Sequence, residues 1–355
     1  MLSPSDFREL VSGRRRGVVA ALERAALRLV EWPYTLAVNW RNDAFDRGRR
    51  AIHRVDVPVV SVGNITLGGT GKTPAVEWLA NWFAARGVRV GLVSRGYGSQ
   101  AGAANDEALE LAQKLPGVPH VLDPDRVRGA RKIIDEHRCQ LVLLDDAFQH
   151  RRLARDLDIV LVDASEPFGF EHVFPRGTLR EPLSGWSRAN VVLLTRAELL
   201  EAPARAAIRE RVRRHAPAAA WAESSHTPQS LMSASGEQQA LESLKRQPLA
   251  AFCGIGNPAG FRHSLQGRSY QVSGWREFAD HHAYTAADIA ALAAWSKELN
   301  VAAVICTGKD LVKIGDRWPG PKPLWALNSR LEITAGLGEL EAALRPIAAK
   351  ALGKE

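Results

Sequence analysis

The chain has 355 residues, 46% hydrophobic and 24% charged, the proportions of a folded globular protein with room for two cores rather than of a disordered or disulfide-stapled chain. A formal charge of +8 points to phosphate-rich ligands, an anionic surface or nucleic acid. No aromatic-interleaved basic stripe or nucleic-acid motif accompanies it, so nucleic acid is not an expected partner. Cys139, Cys253 and Cys306 stand singly in or beside apolar runs, without zinc or disulfide spacing, and predict reduced, buried thiols in a cytosolic setting.

Residues 1–50 hold ten Arg against six Asp and Glu, about half of the charge excess. Phe7, Leu10, Val11, Val18, Leu22, Ala26 and Leu29 recur at roughly helical spacing with Arg14, Arg15, Arg16, Arg24 and Arg28 among them, and Trp32, Tyr34 and Trp40 follow. No uncharged run approaches the roughly 20 residues that cross a bilayer, and no secretory leader is expected. Two readings stay open on this segment alone: a basic amphipathic helix lying in a membrane interface, or a helix packed on its domain with a solvated Arg face.

The β-branched run Val57 to Val62 predicts a buried parallel strand. It feeds a Gly-rich turn ending in Gly71-Lys72-Thr73, after which Pro74, Val76, Leu79 and Phe83 predict a helix. Strand, Gly-rich turn and helix form a phosphate-cradling P-loop, in which Lys72 would reach the β- and γ-phosphates and Thr73 would sit on Mg²⁺. Thr66 stands where the generic pattern has Gly. A second buried strand covers Val88 to Arg95, a helix starts at Asn105-Asp106-Glu107, and Pro119 to Leu122 is a short strand. Asp125-Arg126 starts a helix to about His137. Gln140 to Asp146 then reads as a strand ending in two carboxylates, the Walker B pattern, on the sheet edge that carries the P-loop. Asp158 to Val162 and Asn190 to Leu194 are further buried strands, so residues 51–225 predict a doubly wound, mainly parallel α/β sheet. The stretch from Phe168 to Leu183 reads as an ordered, Pro- and Gly-rich loop of the kind that carries function.

Residues 226–248 are polar and predict a linker into a smaller α/β domain over 249–355. That domain has strands at Leu249, Val301 and Leu324, a helix from Thr285 and a last helix from about Thr334 to Leu352. Its loops carry Gly254-Ile-Gly-Asn-Pro258, Asp280-His281-His282 and Lys309-Asp310. A carboxylate beside two imidazoles could share removal of a proton from a hydroxyl, and no second His/Cys pair at ligand spacing supports a metal there. Thr195-Arg196-Ala197-Glu198 faintly echoes a guanine-reading motif, which keeps a GTPase-like switch or metallochaperone as the alternative reading.

Together these motifs resemble the tetraacyldisaccharide 4'-kinase (lipid A 4'-kinase) family. The resemblance rests on residues 61–74, Ser94 to Gly98, Asp106-Glu107, Asp145 to His150 with Arg155-Asp156-Leu157, Leu179 to Pro182, Gly254 to Pro258, Asp280 to His282 and Lys309-Asp310. Thr66 fits the family's own P-loop, whereas Asn105, Ala147, Gly177-Thr178, Thr307-Gly308 and a short segment before Asp106 depart from its usual pattern. The resemblance implies two α/β domains with the site in the cleft between them. It implies ATP-dependent phosphorylation of the 4'-hydroxyl of a lipid-linked glucosamine disaccharide 1-phosphate, with Mg²⁺, at the cytoplasmic face of the inner membrane. It also tips the first 50 residues toward peripheral contact with anionic lipid.

By motif, the resemblance makes Asp106 the general base and His281 its partner from the other domain, with Lys72 and Arg126 on the phosphates. Thr66, Leu67, Gly68, Gly69, Thr70, Gly71, Lys72 and Thr73 would hold the nucleotide. Thr73, Asp145, Asp146, Gln149 and Glu181 would form the metal shell, and Asn64, Glu107, Arg180 and His282 would contact the acceptor or its phosphate.

Overall fold

The computed structural model describes residues 4–96, 106–267, 270–280 and 282–354, with Pro4, Ser5, Asp106 and Glu107 described by their backbone alone. In chain order its elements are α1 (Pro4–Val11), α2 (Val18–Asp46), β1 (Val59–Asn64), α3 (Lys72–Ala84), β2 (Val90–Ser94), α4 (Asp106–Lys114), β3 (His120–Leu122), α5 (Arg126–His137), β4 (Leu141–Asp145), β5 (Leu157–Asp163), β6 (Val191–Thr195) and α6 (Ala202–Arg213). There follow β7 (Ala220–Met232), β8 (Gln238–Gln239), β9 (Pro248–Cys253), α7 (Pro258–Gln266), β10 (Gln271–Glu277), α8 (Ala286–Glu298), β11 (Ala303–Thr307), α9 (Gly308–Ile314), β12 (Leu324–Ala335) and α10 (Leu337–Ala351).

These elements gather into two units. One holds residues 1–95, 117–225 and 333–355, the other residues 96–116 and 226–332. In the first unit the strands run in the order β3-β2-β4-β1-β5-β6-β7. Their pairings are parallel throughout. Every residue of β1, β2, β4, β5 and β6 is buried. That explains why these strands read as continuous apolar runs rather than alternating ones. β1 lies between β4 and β5, so the chain leaving β1 through α3 must pass the place of β4 to reach β2. This opens a crevice at the carboxyl ends of β1 and β4, where ligands of open α/β sheets bind.

In the second unit β10, β9, β11 and β12 pair in parallel in that order, and β8 pairs antiparallel with the end of β7. α4 packs against α9 here, so the segment carrying Asp106 belongs with residues 226–332 rather than with the P-loop sheet that flanks it in sequence. The last helix returns to the first unit through the end of β12. Cys139, Cys253 and Cys306 are buried free thiols.

Three stretches differ from the sequence reading. The N-terminal helical spacing is interrupted: Gly13 (φ 79°) and Gly17 (φ 109°) separate α1 from α2, and Arg14 to Arg16 lie between the helices. The polar stretch 226–248 contains the second half of β7, β8 and the buried Leu241 and Leu244. In that part of the strand only Pro228 and Leu231 are buried, so no apolar run marks it. β12 runs on to Ala335, and the last helix therefore begins at Leu337 rather than near Thr334.

Candidate active site

The site is built where β1 ends. Asn64, fully buried, donates through Nδ2 to the Thr66 carbonyl at 2.8 Å and contacts its hydroxyl at 3.3 Å, which folds the first turn of the P-loop back on the strand. Thr66 bridges antiparallel to Leu179, and the Leu67 amide donates to the Thr178 carbonyl at 2.7 Å. Thr66 thus occupies extended backbone, which explains why a side chain is tolerated where the generic motif has Gly. Left-handed backbone is needed at Gly68 (φ 105°) and at Gly71 (φ 84°), the residue that caps α3. The far side of the loop is tied to the end of β6. Thr195 Oγ1 donates to the Thr70 carbonyl at 2.9 Å, and Arg196 donates to the Gly69 carbonyl at 2.8 Å while pairing with Asp163. The residues that echoed a guanine-reading motif therefore brace the P-loop.

Lys72 and Thr73 open α3 with their side chains buried, at the helix end whose free N–H groups and dipole favour phosphate. Lys72 Nζ lies 3.7 Å from Asp146 Oδ1. β4 delivers the carboxylate pair: Asp145 is buried at its end, and Asp146 follows in left-handed backbone (φ 48°). Arg180 Nη1 donates to Asp146 Oδ1 at 2.7 Å. Burial alone would push the Asp146 carboxyl up, but Lys72, Arg180 and Arg126 outweigh it and hold it below the ordinary carboxylate range. Arg126 is fully buried at the start of α5, donating to the Asp123 carbonyl at 3.0 Å and the Asp145 carbonyl at 3.4 Å, and burial lowers its pKa.

Glu181, which the resemblance places in the metal shell, is the centre of a buried polar cluster. Its carboxylate has no solvent exposure and accepts from Arg188 Nη2 at 2.9 and 2.8 Å, Gln149 Nε2 at 2.9 Å and Asn42 Nδ2 at 3.0 Å. A Cβ at Gly185 would lie 2.7 Å from Glu181 Oε2, so only glycine fits beneath this cluster. Gln149 also donates to the Asn64 carbonyl at 2.8 Å, so Glu181, Gln149 and β1 form one braced corner. Arg155 holds the turn that carries Gln149, donating to the carbonyls of His150 at 2.9 Å and Phe148 at 3.2 Å while pairing with Asp158 at 3.2 Å. Burial, with Arg126 nearby, lowers the His150 pKa to about 4 and keeps the ring neutral.

The described residues fit a magnesium ion. Mg²⁺ takes one or two carboxylates together with waters and substrate phosphates rather than an all-protein cage. Thr73, buried in the first turn of α3, offers a hydroxyl, Asp145 and Asp146 at the end of β4 offer two carboxylates, and Lys72, Arg180 and Arg126 act on Asp146.

In the second unit, donors from three segments converge on one carboxylate. Asp310, fully buried, accepts from the Gly254 amide at 3.0 Å, the Tyr284 hydroxyl at 2.9 Å and the Thr307 hydroxyl at 2.6 Å. Burial raises its pKa despite these donors. Asn257 caps α7 by accepting from the Gly260 amide at 3.0 Å. His282 is engaged with Asp288 Oδ2 at 3.1 Å and packs between Phe278 and Tyr284. The same Asp288 carboxylate takes part in the capping box that opens α8. Asp106 opens α4, while its side chain, that of Glu107, and His281 lie outside the described residues.

Comparison with known proteins now decides the family. A model of the family described as tetraacyldisaccharide-1-P 4'-kinase, LpxK, matches residues 23–347. The chain belongs to this family. A tetraacyldisaccharide 4'-kinase of Anaeromyxobacter dehalogenans (strain 2CP-C) is 39% identical, the match covering 93% of this chain and 92% of the relative. One from Chlorobaculum parvum is 37% identical over 80% and 82%. A crystal structure of an "apo" form of LpxK from Aquifex aeolicus in complex with ATP aligns with a TM-score of 0.72 at 26% identity, covering 91% of this chain and 99% of that one. The P-loop α/β fold expected from the sequence is that of the LpxK family. Arg188, Asn42 and Arg196 were not singled out as site residues in the sequence. Asn42 and Arg196 lie far along the chain from the residues they support, Arg188 lies outside the motif of Glu181, and the Thr195-Arg196 echo pointed to a different chemistry.

Proposed function

We propose that this member of the LpxK family transfers the γ-phosphoryl group of ATP to the 4'-hydroxyl of a tetraacylated glucosamine disaccharide 1-phosphate in lipid A biosynthesis. The observation that carries the reading is the meeting of Lys72, Asp146 and Arg180 at the helix end of the P-loop. Phosphoryl transfer needs positioning and charge neutralisation more than covalent chemistry. The P-loop N–H groups and Lys72 would hold the β- and γ-phosphates, and Arg180 and Arg126 would add positive charge around the transferring group. Thr73, Asp145 and Asp146, with Gln149 beside Glu181 completing the shell the family pattern implies, would hold Mg²⁺, which would supply charge neutralisation at the transferring group. With both oxygens engaged by Arg188, Gln149 and Asn42, Glu181 acts by fixing Gln149 and the 180–181 backbone. Asp106 would take the acceptor proton with His281 sharing it, and Asn64, Glu107 and His282 would contact the acceptor. A modest base suffices for such a step.

We also propose peripheral attachment to the cytoplasmic face of the inner membrane. No helix of the described residues is long and apolar enough to cross a membrane. On α2, however, Leu22, Leu29, Trp32, Leu36 and Trp40 are each more than 60% exposed. An apolar stripe beside Arg-rich backbone is the form of an interfacial helix.

The deciding experiment compares ATP and GTP turnover with and without the disaccharide lipid. Lipid-dependent ATP turnover supports the kinase; GTP preference, or turnover indifferent to the lipid, overturns it.

A further inference from the structure

Helix α2 has two working faces. On one, the Glu31 carboxylate accepts from the Val173 amide at 2.9 Å and meets His172 Nδ1 at 3.1 Å. One turn on, the Tyr34 hydroxyl donates to the Arg180 carbonyl at 3.4 Å, and two turns further Asn42 donates to Glu181. At about 100° per residue, Tyr34 and Asn42 fall within about 60° of Glu31 around the helix, whereas Leu22, Leu29, Leu36 and Trp40 fall about 140–180° away. The face opposite the apolar stripe is therefore stitched to the backbone that carries Arg180 and Glu181. Phe174 packs in the same seam, its ring 6.2 Å from Phe7 and 6.3 Å from Tyr34.

The Asn42 amide is oriented unambiguously. Arg41 Nη2 donates to Asn42 Oδ1 at 3.3 Å, and a guanidinium has no acceptor, so Nδ2 is the atom left for Glu181. Arg180 in turn is fixed by its own amide, which donates to the Ile65 carbonyl at 2.6 Å in the P-loop. An unbroken chain of hydrogen bonds thus runs from α2 through residues 173–181 to Asp146.

We propose that Glu31 and Asn42 are positioning residues for phosphoryl transfer: α2 sets the 173–181 backbone so that Arg180 meets Asp146. The inference rests on the kinase reading above. A misplacement of a charge-neutralising group by a fraction of an ångström costs rate more than it costs ground-state nucleotide binding.

The test uses the full chain and detergent-dispersed disaccharide lipid at saturating Mg-ATP. Glu31→Ala and Asn42→Ala should each lower kcat about tenfold, with the KM for ATP within about twofold and melting still cooperative. Glu31→Gln should recover most of the lost rate, because its amide oxygen still accepts from the Val173 amide. Hydrogen exchange should quicken at residues 173–181 in Glu31→Ala and stay unchanged in α5. Wild-type kcat in both alanine variants, or a loss that Glu31→Gln does not repair, overturns the proposal. Lys72→Ala separates the two levels: wild-type turnover in that variant would sink the kinase reading itself, whereas its inactivity beside fully active Glu31→Ala and Asn42→Ala sinks only the positioning role.

Discussion

Asp146 sits in left-handed backbone that a non-glycine residue adopts at a cost, and the only return visible is the direction of its carboxylate toward Lys72 and Arg180. Lys72→Ala and Asp146→Asn each remove charge from this cluster and should lower kcat by about 10²-fold or more, read in steady-state assays at saturating lipid. Arg188 is a separate case, since it neutralises the buried Glu181 carboxylate. Arg188→Ala should destabilise the fold by about 3–5 kcal/mol, seen in denaturant melts, because it strands a buried charge. The double replacement Arg188→Met with Glu181→Met should cost less than Arg188→Ala alone. His120 and His150 are both held neutral by burial, each with its pKa lowered from 6.5 to about 4. The unfolded chain binds these protons first as pH falls, so the stability they lend is present above about pH 6.5 and is lost on the way down to about pH 4. Melting temperature should fall across that window, and His120→Gln with His150→Gln should flatten the fall. An unchanged slope in the double variant would place the acid sensitivity elsewhere.

The elements read best from sequence are those whose residues are all buried or locally capped. β1, β4, β5 and β6 were visible as apolar runs, and α5 and α8 were placed by Asp125 and Thr285, which cap them in the structure. The elements that escaped have mixed surroundings. β7 changes its surroundings midway, and α6 buries only Ile208 and Val212, too few to give a period. In the site, the P-loop and carboxylate pair were legible because their spacing is fixed by the phosphate they would cradle. Asn42 and Glu31 were not, because hydrogen bonds between distant segments leave no local pattern. α2 combines both cases: its aromatic residues stand out in the sequence, but which face they occupy follows only from their exposure and from what the opposite face binds. If that apolar face seats on lipid, Arg14→Gln with Arg16→Gln should weaken binding to anionic vesicles by about 1 kcal/mol for each charge at low salt. Arg15→Gln should matter less, since Arg15 is already paired with Glu23 at 3.2 Å. Equal partitioning of all variants would leave α2 as a strut alone.

At the scale of the whole molecule, sequence order and spatial grouping diverge. The sequence reading assigned Asp106 and His281 to different domains, whereas residues 96–116 group with residues 226–332 through α4 and α9. If Asp106 takes the acceptor proton and His281 shares it, Asp106→Ala should lower kcat strongly with little change in the KM for ATP, and His281→Ala should lower it less. The double variant should then be barely worse than Asp106→Ala; additive losses would give His281 another task.

The three native cysteines have a practical consequence for such work. Burial raises the pKa of each, that of Cys253 to about 12. Maleimides and iodoacetamides react with exposed thiolates, so the folded wild-type chain should stay unlabelled at neutral pH. Leu29→Cys would then supply a single reactive handle on the outer face of α2. An environment-sensitive dye attached there should shift to the blue on mixing with vesicles, giving a spectroscopic ruler for membrane depth on an otherwise native chain.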